Sequence, residues 1–275
     1  MHTVAITGGA RGIGRATADA CLRAGMSVVI GDLDGDASAA VAAELGDRAI
    51  GLAVDVCDAD GFKAFLAGAE QQVGPLDVLV NNAGIGPIGL YADEDPDITH
   101  RTLDINIGGA LTGTRLALRR FVPRGHGHIV NLASSAGQIA PAGGATYAAT
   151  KHAVVGFTRA LRAELRGTGV RTTIVMPGLI RTDMIRGFVK PRGTRIVGPE
   201  AVAAAIVDAL HTGREEVFVP RELEPIARLI AGTPPGIADR VKRALNIDAV
   251  MTKADMDARR KYAERIDHAG REVRS

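Results

Sequence analysis

The sequence of 275 residues predicts an α/β fold: a doubly wound parallel sheet of seven strands followed by a C-terminal helical extension. Three observations predict it. Short runs that are apolar on consecutive residues recur along the chain, as strands covered on both faces require. The stretches between them are long enough for crossover helices. Glycine and proline mark the joints.

Taken in order, the strand-like runs are VAIT, SVVIGD, AIGLAVDV, DVLVNNAG, GHIVNLAS, VRTTIVMPG and EEVFVP. Gly25 precedes the second, Gly74-Pro75 the fourth, Gly125 and Gly127 the fifth, and Pro177-Gly178 closes the sixth. After Pro220 the texture changes. Leu223, Ile226, Leu229 and Ile230 stand at helical spacing, TPPG breaks the chain, and Ile237, Val241 and Leu245 repeat the pattern, which predicts two short packed helices. Lys253 to Ser275 carries seven Lys/Arg against five Asp/Glu, and reads as a solvated helix or a mobile tail. The division expected is 1–220 for the sheet-containing domain and 221–275 for the extension and tail.

A hydrophobic content of 46% suffices for a sizeable core. Cys21 and Cys57 lie in apolar surroundings that suit buried thiols, and two cysteines make neither a disulfide framework nor a thiolate metal site. A reducing cytoplasm is expected, and no secretion signal is read at the N-terminus. AVAAAIVDAL, interrupted by Asp208, falls far short of the ~20 residues that span a bilayer. A net charge of +2, with acids and bases intermixed, gives no support to nucleic-acid binding. His126 and His128 flank Gly127 without a third ligand nearby, so no metal site is expected.

TGGARGIG, residues 7–14, follows the first strand and opens a helix at Ile13. Gly8 permits a tight turn, Gly12 lets the backbone approach a pyrophosphate, and Gly14 allows close helix-to-strand packing. Asp32 ends the second strand, where a carboxylate accepts hydrogen bonds from adenosine ribose hydroxyls. That favours NAD. A 2′-phosphate would meet the carboxylate, and Leu33 beside it supplies no compensating charge.

Tyr147 and Lys151 are four apart in TYAATKHAV, with Ser134 thirteen residues upstream. Residues i and i+4 share a helix face, so an ammonium one turn from a phenol favours its ionised form. A free phenol titrates near pH ~10, and each unit of lowering is worth about 1.4 kcal/mol. His152 points elsewhere around the helix and is expected at the surface or an interface.

The glycine-rich turn, NNAG at 81–84, Asn106, Ser134, Tyr147 and Lys151 arrive in one order, and with them residues 1–220 resemble the short-chain dehydrogenase/reductase family. The resemblance implies a Rossmann fold and hydride transfer between NAD(H) and a hydrophobic secondary alcohol or ketone. It implies that Tyr147 moves the proton, Ser134 hydrogen-bonds the same oxygen, and Lys151 lowers the phenol pKa and holds the nicotinamide ribose. Asn106 would be the fourth member, propping open its helix. Ser134 rather than Ser135 matches, by its distance from Tyr147 and from Asn131. Asp55 and Val56 resemble the adenine contact, and Asn81, Ala83 and Gly84 the adenosine-side loop; Asn82 reads as a strand-end cap. Pro177, Gly178, Ile180 and Thr182 resemble the loop that bonds the carboxamide. Arg11, before the second glycine, resembles a 2′-phosphate contact and keeps NADP open.

Ile85, Ile88, Leu90, Ile139, Leu179, Met184, Ile185, Phe188 and Val189 predict an apolar substrate surface, while Arg186, Lys190, Arg192 and Arg195 read as solvated loop charges. The chain departs from the family at its end, where VFVPRELEP replaces an Asp-Gly-Gly turn and leads into about 55 further residues. The resemblance implies a homodimer or homotetramer, with Leu103, Ile107 and Leu111 and Val154, Phe157, Leu161 and Leu165 on the helix faces that family dimers bury. The extension is expected to pack onto the domain, with cover over the pocket or contact with a membrane surface as alternatives. Two other functions stay open: an NADPH-dependent carbonyl or ketoacyl reductase, and a dinucleotide-sensing scaffold without turnover. The complete Asn, Ser, Tyr, Lys set favours the enzyme.

Overall fold

The computed structural model describes residues 2–268. Its seven strands are β1 (Thr3–Thr7), β2 (Ser27–Asp32), β3 (Ala49–Ala53), β4 (Val78–Asn81), β5 (Gly127–Leu132), β6 (Val170–Pro177) and β7 (Glu216–Val219). They form one parallel sheet in the order β3-β2-β1-β4-β5-β6-β7. The order reverses between β1 and β4, and such a switch point opens a crevice at the carboxyl ends of the strands.

Alternation along each strand divides the core. Val4, Ile6, Val28, Ile30, Val78 and Val80 face α1 (Gly12–Arg23), α2 (Gly35–Leu45) and α8 (Pro199–Thr212). Ala5, Val29, Leu79 and Ile129 face α3 (Ala59–Val73), α5 (Ala110–Arg124) and α7 (Ala145–Glu164). The runs are apolar throughout because both faces are covered. Helix starts follow local chemistry. Asp34 accepts from Ala37 N at 2.9 Å to cap α2, and Pro96 and Pro199 open α4 (Pro96–Leu103) and α8.

A polar lock ties the second layer to the sheet. Asn81 Nδ2 donates to Asn131 Oδ1 (2.8 Å) and Thr114 Oγ1 (3.2 Å), while Asn131 Nδ2 donates to Thr158 Oγ1 (2.9 Å). These buried amides fix β4, β5, α5 and α7 relative to one another. Between α4 and α5, residues Asp104–Gly109 form a π-helical turn. The short α6 (Ala136–Ile139) joins β5 to α7.

Beyond β7 the chain forms α9 (Leu223–Gly232), α10 (Pro235–Ala244), α11 (Ala249–Thr252) and α12 (Met256–His268). Leu223, Ala227, Ile230, Ala238 and Ile247 share a buried cluster with Ile174, Met176 and Phe218 of the sheet and Val154 and Val155 of α7. Among the described residues, no helix is long and apolar enough to cross a membrane.

The structure corrects four expectations. The solvated helix or tail is, up to residue 268, a packed helix: Arg259, Tyr262 and Ile266 of α12 are buried. Residues 269–275 of that segment lie outside the described residues. Cys57 is exposed, because it sits in the turn after β3, where its N–H bonds Asp55 Oδ1 at 2.9 Å. Val154, Leu161 and Leu165 are buried in the chain's own core and so present no apolar face to a partner, whereas Leu103 is exposed. Leu229 and Ile237, read as packed, are also exposed, on the outer sides of α9 and α10.

Gly113 of α5 lies against the polar lock. A Cβ there would come within 2.7 Å of Phe62 Cζ and closer still to Asn81 Oδ1, so backbone or lock must shift. Gly113→Ala is expected to cost about 1–3 kcal/mol, the range for overpacking a core, as a lower urea midpoint with an unchanged m value.

Candidate active site

At the carboxyl ends of the strands lies a cavity of about 1120 Å³. Its nucleotide-like end is built by the turn from β1 into α1. Gly8 (φ +63°) and Gly12 (φ +54°) hold left-handed conformations, and a Cβ on Gly12 would lie 3.4 Å from Thr182 Cγ2 across the cavity. No side chain caps the N-terminus of α1 and no acidic residue occupies its first turn, which leaves its amides open to an anion. A knot holds this turn. Thr7 Oγ1 accepts from Asn82 N (3.1 Å) and Ala83 N (3.2 Å), and Asn82 Nδ2 donates to the carbonyls of Thr7 (2.8 Å) and Gly8 (2.9 Å).

Gly8, Arg11, Gly12, Ile13, Asp32, Leu33, Asp55, Val56, Ala83, Gly84, Ser134, Tyr147, Lys151, Pro177, Gly178, Ile180 and Thr182 all line the one cavity. Gly14 does not; it packs behind the turn, where a Cβ would collide with the Gly8 carbonyl. Asn81 does not either, since its amide is spent in the lock, and its neighbour Asn82 reaches the cavity instead. Asp32 Oδ2 accepts from Ala10 N at 3.1 Å, and Arg11 lies 3.7 Å from Asp34.

The opposite end carries the reactive groups. Tyr147 and Lys151 sit one turn apart on α7, with Lys151 Nζ 5.7 Å from the phenol ring centroid and 2.9 Å from the Leu132 carbonyl, to which it donates. Ser134 Oγ accepts from Ala136 N at 3.1 Å. Asn106 lies behind the wall, in the π turn. Its Oδ1 accepts from Ile85 N (2.9 Å), and its Nδ2 donates to Ile85 O (2.9 Å) and Thr150 Oγ1 (3.1 Å). The widened turn turns the amide inward, which an ordinary α turn would not do.

Electrostatics differ from expectation in one respect. Although part of Tyr147 faces the cavity, protein packed around it displaces water and pushes its pKa up to about 12, with a hydrogen bond from Ser134 pulling the other way. Loss of solvation, rather than the charge of Lys151, sets the resting phenol. Burial weakens that ammonium itself, bringing Lys151 down to about 8, and its proton points to the Leu132 carbonyl. The free protein therefore keeps the phenol protonated at neutral pH.

Ile85, Ile139, Leu179, Met184, Ile185 and Phe188 line the substrate end as expected, whereas Ile88, Leu90 and Val189 do not. Sequence reasoning held cover of the pocket by the C-terminal helices only as an alternative and named none of the residues that α11 and α12 bring to it. Val250, Met251, Tyr262, Arg265 and Ile266 complete the wall. Arg259, beneath them, donates to the carbonyls of Met184, Arg186 (3.2 Å) and Gly86 (3.1 Å), and Arg265 meets Asp183 at 3.0 Å. The 259, 262, 266 spacing was a detectable stripe, although its first member is an arginine.

A dinucleotide-type turn and a tyrosine–lysine pair in one crevice define a nucleotide-dependent oxidoreductase. Residues 2–192 match the family model for short chain dehydrogenases. The chain is 37% identical over 222 residues to 1-deoxy-11-beta-hydroxypentalenate dehydrogenase of Streptomyces exfoliatus, covering 78% of this chain and 81% of that protein. It is 38% identical over 222 residues to 3beta-hydroxysteroid dehydrogenase 2 of Eggerthella lenta, covering 74% and 85%. The crystal structure of a short chain dehydrogenase/reductase from Burkholderia phymatum in complex with NAD superposes with a TM-score of 0.76 at 27% identity, covering 83% of this chain and 92% of that one. The chain belongs to the short-chain dehydrogenase/reductase family, and is an NAD(P)-dependent oxidoreductase acting on CH–OH groups.

The buried lysine has a measurable consequence. Lys151 is lowered from 10.5 to about 8, so between those values the unfolded chain binds more protons than the folded one. Stability then rises with pH across that window, relative to a variant without the amine. Thermal melts of the cofactor-free protein should show the wild type gaining on Lys151→Met from pH 8 to 10.5; parallel curves would remove the buried ammonium.

Proposed function

We propose that this chain transfers hydride between NAD(H) and a hydrophobic secondary alcohol or the corresponding ketone, with Tyr147 as acid and base. The observation that carries this reading is the placement of Ser134, Tyr147 and Lys151 on one wall, between an open helix N-terminus and an apolar surface. Bound at Gly8, Gly12, Asp32 and the 177–182 loop, the dinucleotide would supply or accept the hydride.

The chain's own residues do the rest. A carbonyl oxygen placed against Ser134 Oγ and Tyr147 Oη receives the phenolic proton during reduction; the reverse transfer serves oxidation. The raised pKa of Tyr147 keeps that proton in place at neutral pH. Lys151 lends positive charge as the phenol loses its proton and offers donors to ribose hydroxyls. Asn106 anchors Ile85 and Thr150, which ties the segment at 85–86 to the helix that carries Tyr147. Relatives named as dehydrogenases of a hydroxypentalenate and of a 3β-hydroxysteroid fit a ring alcohol held among apolar side chains.

NAD is the favoured cofactor. Asp32, Asp34, Asp36 and Asp55 all line the nucleotide-like end, and Arg11, the cation that would answer a 2′-phosphate, already faces Asp34. Arg11 supports the alternative, an NADPH-dependent carbonyl reductase, if it leaves Asp34 for the phosphate.

Tyr147→Phe should lower kcat/KM for ring ketones by about 10²–10⁴-fold, the usual contribution of a positioned acid, while NADH still titrates with wild-type affinity. Turnover kept in that variant would sink the assignment. Titrating NADH and NADPH against wild type and Asp32→Ala should show an NADH preference that collapses in the variant; a wild-type preference for NADPH would hand the reading to Arg11.

A further inference from the structure

The strongest unassigned feature of the molecule is the grip of α12 on Gly86. The Gly86 N–H donates to Tyr262 Oη at 2.8 Å, and the Gly86 carbonyl accepts from Arg259 Nη2 at 3.1 Å. A methyl on Gly86 would lie 3.6 Å from Tyr147 Cε2. One residue thus separates the family tyrosine from a second phenol, and both phenols line the same cavity. Tyr262 is 6% exposed. Its oxygen accepts from Gly86, and no acceptor among the described residues takes its proton, which leaves one buried donor to spend in the cavity.

Charge around that donor is unbalanced. The Arg259 guanidinium is 3% exposed and lies over the rings of Phe188 (4.6 Å) and Tyr262 (5.0 Å). Three backbone carbonyls take three of its five protons and leave its charge uncancelled, and no carboxylate of the described residues stands within ion-pairing distance. Arg265 lies 5.3 Å from the other part of the same ring, with Asp183 as its counter-ion. A neutral donor backed by an unpaired buried cation favours an anionic acceptor.

We propose that Tyr262 is a substrate-positioning residue whose hydroxyl donates to a carboxylate on the substrate, so that the substrate is a hydrophobic hydroxy acid or keto acid. The inference rests on the hydride-transfer reading and gives its substrate a second point of attachment. The reacting carbon sits at Tyr147, the carboxylate at Tyr262, and the apolar body between Ile85, Leu179 and Met184. Two fixed oxygens orient the ring on the cofactor face, which one oxygen alone does not.

The test uses the full chain with NAD⁺ present and three 2-decalone probes alike except for one ring substituent: carboxylate, carboxamide or methyl. Binding is read by calorimetry in the NAD⁺ complex, which cannot reduce the ketone, and turnover by the loss of NADH absorbance when NADH replaces NAD⁺ as hydride donor. Wild type should bind the carboxylate tightest and the methyl compound weakest. In Tyr262→Phe the preference for carboxylate over methyl should fall about tenfold or more, the value of a hydrogen bond to a charged group, with the change in KM rather than kcat. Melting temperature and NADH affinity of that variant report any general damage; Arg259→Lys, which keeps the charge, should retain most of the preference. An unchanged ratio in Tyr262→Phe, or a wild type that prefers the methyl probe or binds none, would overturn the proposal. Carboxylate preference without turnover of any probe, with either NADH or NADPH, would instead overturn the hydride-transfer reading and support Tyr262 as an anion-binding residue.

Discussion

Holding an ammonium group inside an α/β core is the constraint around which this molecule is arranged. Lys151 is 5% exposed and donates to one protein acceptor among the described residues, the carbonyl at the end of β5. Burial without a carboxylate costs several kcal/mol per ion in real proteins, so the surroundings must be rigid enough to impose it. They are. The Asn81–Asn131–Thr158 lock fixes the helix that carries the lysine, and Thr150, beside Lys151, is bonded to Asn106 of the π turn. Weak basicity is the return on that cost: an amine near pH 8 exchanges its proton where an ordinary lysine would not.

That arrangement also explains why the empty-handed arithmetic of charges fails at Tyr147. A lysine one turn away is expected to stabilise a phenolate, yet the same packing that brings the two together removes water from both. For Tyr147 the loss of solvation outweighs the attraction, and the phenol rises to about 12. A phenol that keeps its proton at neutral pH results, which is the form the proposed reduction would draw on.

Much of this was legible in the residues. The seven apolar runs became the seven strands, because burial on both faces leaves a continuous pattern that single positions cannot obscure. The glycine turn and the i, i+4 pair carried the two ends of the cavity, since each rests on local spacing. What escaped was long-range. Asn81 and Asn82 are neighbours of the same type, and only the packing of β4 against α5 decides that the first locks the core while the second reaches the cavity. Arg259 counted as a solvated charge in a tail rich in them, and nothing in one sequence says that its guanidinium meets carbonyls far upstream. Val154, Leu161 and Leu165 showed an apolar helix face without showing whether a subunit or the chain's own sheet covers it.

The reach of that guanidinium has a temporal side. The bond from Arg259 to Gly86 spans 173 positions, whereas the glycine turn, the acidic adenosine end and the Tyr147–Lys151 pair are complete by residue 182. Docking α12 on Gly86 therefore closes a long loop, whose entropy must be met before the contact stabilises anything. The segment beside Tyr147 is thus held by a contact of very high sequence separation, and that part of the wall is expected to form late in folding.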